Sequence, residues 1–207
     1  SKENWMILTR TNKMMERLRE HLYDLNLRFD SKAQELLPNK MLSAYRTWIR
    51  LNQGASVSKD EVKDLWDYLT VKQGHLVRGY AGGKTLETID SINIEGLREH
   101  HGLRAAGGWE TLNFPETSKD YIRTILKNGD DLMKPARIKL STIHGVKGEE
   151  CDNVILFTDL ERIIYESAQI DADPEHRTFF VGITRAKQNL FITNQDYEYQ
   201  YNIGGPI

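Results

Sequence analysis

The chain has 207 residues, 28 Lys plus Arg, 30 Asp plus Glu, a single cysteine and a formal net charge of −2. The lone Cys151 excludes a disulfide framework or a Cys-rich zinc site and suits a reducing compartment. No apolar stretch reaches the roughly 18 residues of a membrane span and no signal-peptide pattern is present, so a soluble, cytoplasmic protein is expected, and the near-neutral charge excludes a uniformly basic nucleic-acid coat.

In chain order, WMILTR at residues 5–10 reads as a short strand. Thr11 or Asn12 can cap a following helix, on which Met14, Met15, Leu18, Leu22 and Leu25 share a face. A second helix is predicted over 40–53, with Met41, Leu42, Tyr45, Trp48 and Ile49 as its stripe. Ser58 and Glu61 form a capping-box pattern ahead of Val62, Leu65, Trp66 and Leu69. Residues 73–116 are rich in Gly and show no clear period. Tyr121, Ile122, Ile125 and Leu126 predict a helix over 118–128, and Pro135 ends that region.

The pattern then changes. RIKLST (137–142) and NVILFT (153–158) are β-rich runs with the length of buried strands. A helix is predicted over 160–169. Asp173-Pro174-Glu175 reads as the start of another, with Asp173 at the cap and Pro174 in the first turn. That helix is expected to run to about Lys187, ahead of a strand at 189–193. On its wheel Phe179, Phe180 and Ile183 share a face, and Arg185 points away from it. Strands separated by helices predict a parallel α/β sheet. Residues 1–30 and 131–207 would build it, and residues 31–130 would form a mostly helical insert.

The small net charge is a cancellation. Residues 1–50 hold ten Lys/Arg against six Asp/Glu, and residues 134–148 hold four Lys/Arg and no acid. Residues 149–175 then carry nine acids against Arg162 alone. Such runs are either solvated faces or parts of a phosphate-binding surface assembled from distant segments.

Arg-Gly-Tyr-Ala-Gly-Gly-Lys-Thr at 78–85 imitates a phosphate loop. A true loop places its first Gly where Arg78 stands, so that backbone N–H groups can wrap a phosphate. His75-Leu76-Val77 is too short to be the strand that feeds it. The segment reads as a Gly loop. Trp48, Trp66, Tyr80 and Trp109 could stack on bases, but Trp48 and Trp66 lie on apolar helical stripes and read as core.

Two later segments carry chemistry. Thr142-Ile143-His144-Gly145-Val146-Lys147-Gly148-Glu149-Glu150 lies between two predicted strands, where α/β sheets bind ligands. Val181-Gly182-Ile183-Thr184-Arg185-Ala186 presents an arginine, whose planar donors can bridge the oxygens of a transferring phosphoryl group.

In this order the segments resemble motifs V and VI of superfamily 1 DNA helicases of the UvrD/Rep/PcrA type, in the C-terminal RecA-like domain. Leu8-Thr9-Arg10-Thr11-Asn12 is similar to that family's Tyr-Arg-Thr-Asn segment, with Thr9 in place of the aromatic residue. The resemblance covers residues 4–25 and 137–194. It implies a RecA-like parallel sheet (domain 2A) with a short 2B-like insert. It implies that Arg185 is an arginine finger, and that Glu150 and Gly148 border the nucleotide. Thr142 and His144 would face single-stranded DNA, with Arg10 and Asn12 near its backbone. Glu149 stands where the family has Leu, and Glu175-His176-Arg177 replaces its acidic-Arg-Arg lead-in.

The function implied is ATP-driven 3′→5′ translocation on single-stranded DNA and at single/double-strand junctions, in DNA repair or replication. ATP with Mg²⁺ would be held mainly by an N-terminal RecA-like domain of the same protein. The chain would be a fragment of that helicase, inactive alone and without a metal site of its own. A DNA- or protein-binding module that has lost catalysis is one alternative. A complete small nucleotide-binding enzyme using the 79–85 loop is the other.

Overall fold

The computed structural model describes residues 3–32, 36–88, 90–195 and 198–203. Its elements are β1 (Trp5–Thr9), α1 (Asn12–Asp24), β2 (Phe29–Asp30), α2 (Asn39–Asn52), β3 (Val57–Ser58), α3 (Lys59–Trp66), β4 (Ser91–Ile92), α4 (Ile94–His100) and α5 (Glu116–Lys127), followed by β5 (Ile138–Thr142), β6 (Cys151–Phe157), α6 (Arg162–Ile170), α7 (Asp173–Ile183) and β7 (Ala186–Thr193). Chain contacts separate two units, residues 1–32 with 135–207 and residues 33–134.

The first unit is a five-stranded sheet in the order β2-β5-β1-β6-β7, with every pairing parallel. Alternation along the strands feeds two apolar layers, as a period of two demands. Met6, Leu8, Val154 and Leu156 pack on one face with Ile143, Val146 and Phe179 of α7. Ile7 and Leu140 pack on the other with Met15 and Leu22 of α1 and with Phe29. Helices on both faces of a parallel sheet are the RecA-like α/β arrangement expected from the sequence. Gly182 permits the close approach of α7 to the sheet. A Cβ there would come within 3.0 Å of Leu156 Cδ1, and Leu156 is fully buried.

Several boundaries differ from expectation. The predicted helix to Lys187 stops at Ile183, and the strand expected at 189 begins at Ala186. Sheet pairing wins here, because the Cys151 N–H donates to Arg185 O at 2.9 Å and Cys151 pairs in register with Ala186. Asp173 is not the cap of α7. Ala172 holds that position, and Asp171 Oδ1 accepts from the Asp173 N–H at 3.1 Å. The buried face of α7 is Glu175, Phe179 and Gly182, so Phe180 is left 66% exposed. Leu25 follows the end of α1 and is 54% exposed rather than core.

The unit of residues 33–134 contains α2 to α5 and a two-residue antiparallel ladder of β3 with β4. The tryptophans read as core are core. Trp48 is fully buried and its indole donates to Gly107 O at 3.2 Å and Gly108 O at 3.1 Å. Trp66 donates to Tyr80 O at 3.1 Å, and Trp109 packs 5.7 Å from the Tyr45 ring. The predicted capping box forms, with Ser58 Oγ accepting from the Glu61 N–H and the Glu61 carboxylate accepting from the Ser58 N–H.

Near α3, Lys59 and Lys63 each place Nζ 2.8 Å from the Glu87 carboxylate. Hydrogen bonds from the two ammonium groups, then their charge, hold the Glu87 pKa down to about 2. The unfolded carboxylate takes up protons first as the solution is acidified. The stabilisation is therefore whole above the ordinary value of 4.5 and is lost as the pH falls towards 2. Urea unfolding followed across that window should show the midpoint of Glu87→Gln falling less steeply than that of the parent. Equal slopes would dismiss the trio as a contributor.

Candidate functional site

The parallel strands set two ends to the sheet. Thr9 pairs with Thr142, so the carboxyl ends of β1 and β5 lie side by side. Arg10 and Asn12 leave one of them, and Thr142 and His144 leave the other. β6 and β7 begin at the opposite, amino end, where Glu149, Glu150 and Arg185 stand. The connection from β5 to β6 therefore crosses the whole sheet, and α7 crosses beside it. Their packing is direct: a Cβ on Gly182 would lie 3.5 Å from Ile143 Cδ1.

At the carboxyl end, Thr142 caps a 3-10 turn, Ile143–Val146, by accepting from the Gly145 N–H at 3.2 Å. His144 projects from that turn and is exposed. Asn12 is also exposed, as the first residue of α1. Arg10 is placed differently. Its Nε and Nη2 donate to the two carboxylate oxygens of Glu175 at 2.7 and 2.8 Å. The side chains are only 19% and 8% exposed. The hydrogen bond to Glu175 raises the Arg10 pKa above its ordinary value, against the opposing effect of burial. The fork geometry engages the Nε–Nη2 edge of a guanidinium that the family resemblance places near a DNA backbone. Nothing in the sequence points to this pairing, since the partners are 165 residues apart.

At the amino end, Arg185 lies in the two-residue turn between α7 and β7, not on a helix as expected. Its Nε donates to Val181 O at 2.8 Å, Nη1 to Glu149 O at 3.0 Å and Nη2 to Thr184 Oγ1 at 2.9 Å. One guanidinium thus closes the end of α7 and ties it to the loop before β6. Glu150 is exposed and sits 3.8 Å from Lys187 Nζ, while Glu149 pairs with Lys139. Gly148 has φ +88° and open space around its α-carbon, so the loop turns there in a conformation that side chains disfavour.

The phosphate-loop imitation is a set of turns leading into a five-residue 3-10 helix, Lys84–Thr88. Leu76 makes an isolated bridge to Leu103 in place of a feeding strand. Among the described residues there is no group of three or more His, Cys, Asp or Glu placed to hold a metal ion, and no helix long and apolar enough to cross a membrane.

Residues 116–197 match the model of the UvrD-like helicase C-terminal domain, from α5 to the end of the sheet and just beyond. That stretch of the chain is similar to a UvrD-like helicase C-terminal domain. A probable DNA helicase of Mycoplasma pneumoniae is 34% identical over 84 residues, which is 38% of this chain and 15% of that protein. The ATP-dependent DNA helicase Rep of Buchnera aphidicola is 39% identical over 75 residues, 35% of this chain and 12% of that protein. The chain therefore matches only a small part of these relatives' length. The UvrD-like match contains both chemistry-bearing segments, and β1 with Arg10 and Asn12 lies outside it.

Proposed function

We propose that this chain is the C-terminal motor domain of an ATP-dependent 3′→5′ DNA helicase or translocase. One observation carries the reading: within a UvrD-like helicase domain, Arg185 braces the Glu149–Glu150 loop at one end of the sheet, and the same connection presents His144 at the other. Arg185 is the arginine finger, reaching ATP held with Mg²⁺ by an N-terminal RecA-like domain of the same protein. Glu150 and Gly148 border that nucleotide. Thr142, His144 and Asn12 lie along the single-stranded DNA, and residues 33–134 take the place of a short 2B-like domain. Arg10, with Nε and Nη2 bonded to Glu175, holds the β1–α1 turn in place. To reach a phosphate, Arg185 exchanges intramolecular acceptors for phosphate oxygens, a trade between charge-assisted bonds that favours the more highly charged partner.

Supplying the arginine but no phosphate cradle, the isolated chain is expected to show no magnesium-dependent ATP turnover. In the intact protein, His144→Ala should lower the oligo(dT)-stimulated rate of ATP hydrolysis more than the basal rate. Stimulation equal to that of the parent would remove His144 from the DNA track. A DNA-binding module without catalysis is the second reading, favoured by the three intramolecular bonds of Arg185. Arginine-dependent turnover by the intact protein excludes it.

A further inference from the structure

We propose that a cleft on the sheet face, between the 143–146 turn and α7, binds one phosphodiester of the single strand, with Lys147 and Arg177 as its cationic ligands. The proposal rests on the helicase reading above and adds a subsite to it. The cleft has a volume of about 310 Å³. His144 and Lys147 line it from the connection, and Pro174, Arg177 and Thr178 from α7, over a floor that includes Ile143. That combination offers charge to a phosphate and an apolar surface to the attached sugar and base.

The electrostatics favour an anion. No carboxylate lines this cleft. Lys147 is exposed and makes no ion pair or hydrogen bond among the described residues. Arg177 is held loosely, with Nη1 4.0 Å from Asp173 in an exposed pair of little worth. The neighbouring cleft between α6 and α7, about 230 Å³, is the contrast. It contains Arg10, but Glu175 and Asp171 line it too, and Glu175 already occupies the guanidinium. The cation-lined cleft is continuous with His144, so a strand following His144 would next meet Lys147 and Arg177.

The test uses the purified 207-residue chain and fluorescein-labelled oligo(dT), with anisotropy titrations at several salt concentrations. Lys147→Ala and Arg177→Ala should each weaken binding several-fold and each flatten the slope of log K against log salt by about 0.7, the single-strand value for one lost phosphate contact. Lys127→Ala, the same charge change on α5, should leave both unchanged. Both cleft side chains are exposed, so melting temperatures should match the parent, and Arg177→Gln serves if the alanine variant unfolds. Parental affinity and slope in the Lys147 and Arg177 variants would overturn the proposal, as would no oligo(dT) binding at the lowest salt. The helicase reading is judged separately: DNA-stimulated ATP turnover by the intact protein would survive a wrong cleft and fail with a wrong motor.

Discussion

Arg185→Ala in the intact protein should lower kcat for ATP hydrolysis by about 10³-fold or more, the range for losing an arginine that meets charge developing on a transferring phosphoryl group. The KM for ATP and the affinity for oligo(dT) should stay within a few-fold of the parent. The geometry calls for a control. Arg185 also bonds to Val181 O and Glu149 O, so its removal loosens the link between α7 and the loop before β6. Arg185→Lys keeps a positive charge but cannot reproduce the planar fork, and it should remain close to the alanine variant in rate. Parallel losses of turnover, DNA binding and melting temperature would show that the arginine is structural and would sink its catalytic role.

The second large effect is expected at Glu175. Glu175→Ala leaves the Arg10 guanidinium half-enclosed with no carboxylate facing it. Removing one partner of a buried ion pair costs about 3–5 kcal/mol. Arg10 retains 19% side-chain exposure, so the lower end applies. For a chain of this size, about 3 kcal/mol lowers Tm by roughly 6–12 °C. Replacing both partners, as Arg10→Met with Glu175→Leu, should recover most of that loss, because the cost lies in the stranded charge. A single variant melting within a degree or two of the parent would mean that the pair holds nothing in place. If the double variant is stable yet binds oligo(dT) as the parent does, Arg10 has no direct part in DNA contact.

The sheet was legible because β1, β5 and β6 are short, apolar and β-rich, and helical periods separate them. The capping box at Ser58 was legible because it depends on neighbours three residues apart, and the core role of Trp48 because it stands on an apolar helical stripe, although its indole partners Gly107 and Gly108 lie far off in the chain. What failed was non-local. Arg185 was recognisable by its motif, but its place in a turn depends on pairing between Cys151 and Ala186, and no helical period reveals that register. Phe179 and Phe180 share one face on the wheel, and a wheel cannot tell which side of an apolar arc the sheet will take. Gly182 decides it, by letting the backbone approach Leu156 so closely that Phe179 turns inward and Phe180 outward. The Arg10–Glu175 pair was invisible because each residue has an ordinary local reading, one in a motif and one as a first-turn acid. The cleft of Lys147 and Arg177 exists only once the connection and α7 cross the same face.

That shared crossing has a mechanical meaning. Glu175 lies eight residues before the end of α7, so roughly 12 Å of helix separates it and its tie to the β1 turn from the turn that bears Arg185. The helix is anchored at its start by an ion pair and at its end by a guanidinium, with a buried phenylalanine between them as a fulcrum. Phe179 stands four residues, or roughly 6 Å, from Glu175 and from Ile183, so pivoting such a rod about it by about 10° shifts either end by roughly 1 Å, in opposite directions. The two anchors therefore sit on equal arms, and a push on the Arg10 end is felt at the Arg185 end as an equal movement the other way.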